Sequence, residues 1–221
     1  MNFFASYKTW TVLMLVYVLV WGLIGEVPRL NILNETIRNL HFHVPMWFGM
    51  IVFFSSSVYY SVDYLRNQNL QSDLKATRFA STGIVYGLLG LLTGMIWAQY
   101  TWGSAWSNDP KQTASAIALL IYLAFFVLRS SFESPSKKAT VSSVYSIFAY
   151  PSLILLIFIL PRLSDSSLHP GAQGNPAFNA YDLDSKLRLV FYPAVLGWIG
   201  LGWWITELWI RFETQKKIRE S

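Results

Sequence analysis

The chain has 221 residues, of which 53% are apolar, 17% aromatic and only 13% charged, with 10 Trp and no Cys. The apolar share, about 117 residues, is close to the roughly 120 that six helices of about 20 residues need to cross a bilayer, and a mean hydropathy of +0.37 agrees with it. Disordered chains, collagens and disulfide scaffolds are excluded, and with no Cys so are thiolate nucleophiles, iron–sulfur clusters and Cys-ligated zinc. The net charge of +5 reports basic cytoplasmic loops in a membrane protein rather than nucleic-acid binding.

Six apolar runs predict membrane-spanning helices, which satisfy their own backbone hydrogen bonds as lipid requires. The first covers Trp10 to Gly25 and reads as an uncleaved span. In the connection after it, Leu30, Leu33, Ile37 and Leu40 recur at helical spacing opposite Asn31, Asn34, Glu35 and Asn39. That pattern predicts an interfacial helix lying flat on the outer leaflet, either as a lid that fixes His43 or as an ordinary anchor. The second span runs from Pro45 to Leu65, and the third from Phe79 to Trp97 with Gly83, Gly87, Gly90 and Gly94 offering close-packing faces. The fourth is Thr113 to Leu128, the fifth Val141 to Leu160 with a kink expected at Pro151, and the sixth Leu187 to Ile210 with Pro193 inside it. The expected fold is an all-α integral membrane protein, a six-transmembrane helix bundle forming a single domain over residues 1–221.

Positive charge orients the bundle. Lys8, Arg66, Lys75, Arg78, Arg129, Lys137, Lys138, Arg211, Lys216, Lys217 and Arg219 fall on one side, eleven against six for Arg29, Arg38, Lys111, Arg162, Lys186 and Arg188. Cytoplasmic loops keep the excess, so both termini are expected in the cytoplasm. The outer side then receives residues 26–44, 98–112 and 161–186, and with them all three His residues, His41, His43 and His169.

Taken singly, each His reads more readily as a solvated loop residue than as a ligand. As a pair, His43 at a span mouth and His169 in another outer loop offer two imidazoles to one outer cavity, a donor set that suits axially held haem iron better than a soft metal. Between them lies Trp97-Ala-Gln-Tyr-Thr-Trp102-Gly-Ser-Ala-Trp106-Ser-Asn-Asp109-Pro-Lys111. Interfacial belts explain part of this aromatic density. Trp102 and Trp106 are four apart, which predicts stacking on one face of a short helix, a flat platform beside Tyr100 and Trp97 that matches a porphyrin. Lys111 or Arg188 is then available to pair with propionates. Asp109 before Pro110 reads either as the cap of the fourth helix or as a functional group. Asp63 and Glu207, near the cytoplasmic ends, have neighbours in Arg66 and Arg211 and do not require a proton relay. No Walker loop, HExxH or Gly-x-Ser-x-Gly motif occurs.

The segment Trp102-Gly-x-x-Trp106-x-Asn-Asp109-Pro-Lys111 resembles the tryptophan-rich (WWD-type) signature of the haem-handling membrane proteins of cytochrome c maturation. His-Val-Pro at 43 to 45 and Leu-His-Pro-Gly at 168 to 171 resemble its two flanking histidine sites, and six spans with one such pair point to the haem exporter protein C (CcmC) branch. The resemblance implies haem b held by His43 and His169 as axial ligands, presented on Trp97, Trp102, Trp106 and Asp109 with Lys111 beside them. It further implies delivery to a membrane-anchored periplasmic chaperone (CcmE-like), alongside ABC transporter subunits (CcmA/CcmB-like) and a small subunit (CcmD-like), at the bacterial inner membrane. Asn108 stands where the family usually has a further Trp, and Pro110-Lys111 resembles the larger synthetase-type branch (CcsA-like), whose members attach haem to apocytochrome. His41 matches no family position. A small-solute permease and a plain structural subunit are the remaining alternatives.

Overall fold

The computed structural model describes residues 6–28, 33–164, 167–169 and 183–220. Six helices in it are long and apolar enough to cross a membrane: α1 (Tyr7–Ile24), α2 (Leu40–Asn67), α3 (Leu70–Trp102), α4 (Pro110–Ser130), α5 (Pro135–Ile154) and α6 (Ser185–Glu220). Each contains its predicted span or most of it. The helices overrun the apolar runs because hydropathy registers only the lipid-embedded part. At α3 the Asn69 side chain accepts the Gln71 N–H at 2.9 Å, and this cap starts the helix a full two turns before Phe79. Gln68, at φ 51°, closes α2 just before it, so α2 and α3 form a tight hairpin.

The fifth span changes pitch. Pro151 sits inside the α-helical part, and the regular ladder ends at Leu155, whose N–H is shared by the carbonyls of Pro151 and Ser152. A wide π turn, Leu155–Ile159, follows, and then a tight 3-10 turn, Leu160–Leu163, containing Pro161. The distortion expected at Pro151 therefore appears one turn later. Pro193 is carried within a continuous α6.

Helix α2 is central and packs on α3, α5 and α6, with α1 laid against α6 and α4 against α3 and α5. Helices in lipid gain little from hydrophobicity and associate through close packing and interhelical hydrogen bonds. The glycine stripe of α3 provides the first, since Phe54, Trp47 and His43 of α2 lie against Gly83, Gly90 and Gly94. Phe54 also stacks on Tyr122 of α4, with centroids 3.5 Å apart. Buried hydroxyls provide the second, as between Thr82 and Thr206 at 2.6 Å.

The two ends of the bundle differ in chemistry. One carries the basic excess and is tied by ion pairs: Arg129 reaches both oxygens of Asp73 at 2.7 and 2.6 Å, and Arg78 pairs with Glu213 while lying 4.2 Å over the Trp209 ring. There Asp63 accepts from Ser72 and Asn67, and Glu207 accepts from the Tyr7 hydroxyl at 2.8 Å. The other end gathers His41, His43, the Trp-rich segment and His169.

At that end the connection before α2 departs from expectation. Asn34–Asn39 is a 3-10 turn running directly into α2. Its apolar side chains are taken up within the protein: Ile37 and Leu40 pack with Val27, Val44 and Phe48 onto Leu183, Leu187 and Phe191. Arg38 donates to the carbonyls of Gly25 at 2.7 Å and Gly22 at 3.3 Å, satisfying the end of α1, and Asn39 donates to the Thr93 carbonyl at 3.2 Å. A tertiary cluster thus takes the apolar face that the sequence assigns to lipid. Leu30 and Asn31 of the predicted amphipathic pattern lie outside the described residues, as do Pro170 and Gly171.

Candidate functional site

Gly90, Thr93, Gly94 and Trp97 recur along α3 at the spacing of one helix face. The His43 ring, carried on the first turn of α2, lies on the first three of them. A Cβ at Gly94 would come within 2.7 Å of His43 Cε1, so the ring occupies the space that glycine leaves. His43 Nδ1 lies 2.9 Å from the Gly90 carbonyl and 3.1 Å from Thr93 Oγ1. A carbonyl can only accept, and the Thr93 hydroxyl already donates to the Leu89 carbonyl at 2.7 Å. Nδ1 therefore carries the proton, and Nε2 carries the lone pair. One helical turn on, Trp47 Nε1 donates toward that nitrogen at 3.4 Å.

His169 is fixed in the same sense by a different group. Its Nδ1 donates to Asp109 Oδ1 at 2.8 Å, which leaves Nε2 unprotonated. The Asp109 side chain is wholly buried, and it also accepts from the backbone N–H of Leu168 at 2.7 Å, from Ser167 Oγ at 3.1 Å and from the N–H of Lys111 at 2.8 Å. Asp109 caps α4, as Asp-Pro predicts, and the same carboxylate pins the segment bearing His169. Burial alone would raise the Asp109 carboxyl. The adjacent His169 ring and the N–H donors of Leu168 and Lys111 outweigh it and hold the carboxyl below the usual range. Burial likewise pushes the His169 imidazole below its ordinary value, against the pull of Asp109, so the ring is neutral near pH 7.

Trp102 meets the His169 ring edge-on at 4.8 Å, Trp97 lies 6.4 Å from it, and the two indoles are 5.3 Å apart at 74°. The two histidines thus meet successive turns of α3, His43 at Gly90 to Gly94 and His169 at Trp97. Trp106 is not a further member of that face. Helix α3 stops at Trp102 because Gly103 turns left-handed at φ 79°, and 103–109 is a loop rather than the expected short helix. Gln99 and Gln112 staple it: Gln99 accepts from the Ala105 N–H and donates to the Gly103 carbonyl, while Gln112 accepts from Ser107 and donates to the Ala105 carbonyl. Trp106, exposed on this loop, donates to Asn108 Oδ1 at 2.9 Å. Tyr100 is 77% exposed and is not among the side chains around His169. Lys111 is half-buried in the first turn of α4, and Arg188 donates from Nε to the Leu183 carbonyl.

His41 stands apart. It is buried against Gly22 of α1, and its Nδ1 has no hydrogen-bond partner among the described residues. Among the described residues no group of three or more His, Asp or Glu could hold a bare metal ion. What the site offers is two unprotonated Nε2 atoms beside two indoles. Sequence reasoning missed Gly90, Thr93 and Trp47 as partners of His43, although the His-x-x-x-Trp spacing, one turn of helix, was a readable signal. The roles of Gln99 and Gln112 left no such signal.

Comparison with known proteins gives the same direction. The family model described as "Heme exporter protein C" matches residues 2–204. The "Heme exporter protein C" of Rhodobacter capsulatus is 29% identical over 215 residues, covering 95% of this chain and 84% of the relative. That of Paracoccus denitrificans is 31% identical over 158 residues, covering 70% and 63%. The "Cytochrome c biogenesis protein CcsA" of Trachelium caeruleum is 34% identical over 94 residues, which is 42% of this chain and 28% of the relative. With a family match across nine-tenths of its length, on a six-helix frame that gathers the Trp-rich segment and two oriented histidines at one end, the chain belongs to the heme exporter protein C family.

Proposed function

We propose that this protein binds haem b at the histidine end of the bundle, with His43 and His169 as axial ligands, and passes it on for cytochrome c biogenesis. The observation that carries this reading is the common orientation of the two rings. Each ties Nδ1–H to a protein acceptor, and each keeps an unprotonated Nε2, the arrangement that ligating histidines use. Trp97 and Trp102 supply apolar ring surface beside them, and Lys111 supplies a cation for a propionate. Trp106, exposed at the loop edge, extends this surface toward an incoming acceptor. The iron and porphyrin bring the redox chemistry, while the protein ligates, orients and releases.

The distribution of Lys and Arg supports an orientation with the basic end and both termini in the cytoplasm and the haem end on the periplasmic face of the bacterial inner membrane. On that reading the acceptor is a periplasmic haem chaperone of the CcmE type, with CcmA/CcmB-like and CcmD-like subunits as neighbours. A second reading, a subunit that attaches haem to apocytochrome, is favoured by the CcsA likeness and by Pro110-Lys111.

The test is the absorption spectrum of protein purified from haem-replete cells, followed by His43→Ala and His169→Ala. A Soret band that is lost or shifted in both variants is the expected result. A preparation without the band, or a band indifferent to both substitutions, overturns the haem reading. Co-purification with a haem chaperone or with an apocytochrome decides between delivery and attachment.

A further inference from the structure

The two histidines are not equivalent, and Trp47 is the main reason. We infer that Trp47 is a positioning residue that competes with iron for His43 Nε2, making His43 the releasable axial ligand and His169 the anchoring one. This inference rests on the haem reading above.

The Trp47 indole N–H points at His43 Nε2 at 3.4 Å, with the two rings at 82° and their centroids 6.1 Å apart. The lone pair that iron would take is therefore already directed at a donor. The contact is long for a hydrogen bond, so iron can displace it. It is also held in place. Trp47 follows His43 by four residues on one helix face, and its ring lies so close to α3 that a Cβ at Gly90 would come within 2.9 Å of it. Gly90 thus serves both members of the pair, giving the indole its space and His43 Nδ1 its carbonyl acceptor. When the Fe–N bond breaks, its electron pair returns to Nε2 and the waiting N–H engages it.

The partners on the other nitrogen act in the same direction. His43 Nδ1 donates to a neutral carbonyl and a hydroxyl, whereas His169 Nδ1 donates to the buried Asp109 carboxylate. Hydrogen bonds to an ionised acceptor are roughly twice as strong, and a carboxylate partner raises the basicity of a ligating imidazole. Nothing comparable strengthens His43. A protein that must both bind haem and let it go gains from this asymmetry, because the weaker ligand detaches first. That opens one axial position to an acceptor while His169 still holds the other.

The experiment uses the full-length, haem-loaded protein in detergent micelles and follows haem transfer to excess apomyoglobin by its Soret band. Trp47→Phe keeps a ring and removes the N–H, and transfer is expected to slow by about three- to tenfold, the fold-change of one modest hydrogen bond. Trp47→Leu, which removes the donor in a different shape, is expected to slow it likewise. In a His43→Ala background the Trp47→Phe change is expected to have no effect, a coupling that a purely structural role for Trp47 would not produce. Transfer at the wild-type rate or faster in both Trp47 variants overturns the inference, as does an effect that persists without His43. A wild-type protein without a haem spectrum overturns the haem reading instead, whereas an intact spectrum with unaltered transfer in both Trp47 variants overturns this inference alone.

Discussion

Replacing Asp109 with Asn keeps the shape of the side chain and a capping oxygen but removes its charge and one of its two acceptors. Oδ1 receives the N–H of Lys111 and Nδ1 of His169, both at 2.8 Å, while Oδ2 receives the N–H of Leu168 at 2.7 Å and the Ser167 hydroxyl at 3.1 Å. An amide has one oxygen, so in either orientation its NH2 faces an N–H donor. A buried donor left without its acceptor costs about 1–3 kcal/mol. The surviving bond to His169, if the oxygen turns that way, falls to roughly half its strength once the charge is gone. Both losses act on the segment that carries His169. Loss of such an outer partner typically weakens a metal site by about 10–100-fold, and at about 1.4 kcal/mol per tenfold the two magnitudes agree. Haem affinity of Asp109→Asn, from titration of haem into the purified protein with the Soret band as readout, is expected to fall by that factor. Helix content should be unchanged, because Asn caps as well as Asp. Binding within twofold of wild type, with His169→Ala still losing the spectrum, refutes the role assigned to the carboxylate.

Three further substitutions probe the rest of the frame. Gly94→Ala places a methyl within 2.7 Å of His43 Cε1, so the ring must leave its position against α3; loss of the six-coordinate haem spectrum with circular dichroism unchanged is expected, and an unaltered spectrum counts against the packing described. Gln112→Ala removes the acceptor for Ser107 and the donor to Ala105, a cost of about 1–2 kcal/mol; limited proteolysis should cut faster within 103–109, and an unchanged cleavage rate refutes the staple. Asp73→Asn leaves Arg129 without its two-oxygen partner at the basic end, which costs about 3 kcal/mol for a mostly buried pair; the melting temperature in detergent should drop while the haem spectrum stays, since the pair is at the opposite end from the histidines.

The sequence by itself determined where the chain crosses the membrane, because partition into lipid is decided residue by residue and a run of apolar side chains suffices to record it. The charge sorting likewise follows residue by residue, and with it the placement of His43, the Trp-rich segment and His169 at one end of the bundle. The cap at Asp109 was legible because Asp-Pro is a local signal for a helix start. Local patterns failed where a distant segment competed. Leu40 and Ile37 repeat as a lipid-facing stripe should, yet α6 offers them Leu187 and Phe191. Trp102 and Trp106 have helical spacing, yet Gly103 ends the helix between them and two glutamines hold the loop that results. What only the tertiary structure decided is which nitrogen of each histidine carries the proton and which indole lies against it. His43 takes its acceptor from a residue 47 positions away, and His169 from one 60 positions away. No periodicity encodes such pairs, because they depend on how closely α2 approaches α3 across Gly90 and Gly94, and on the loop that brings His169 down onto Asp109.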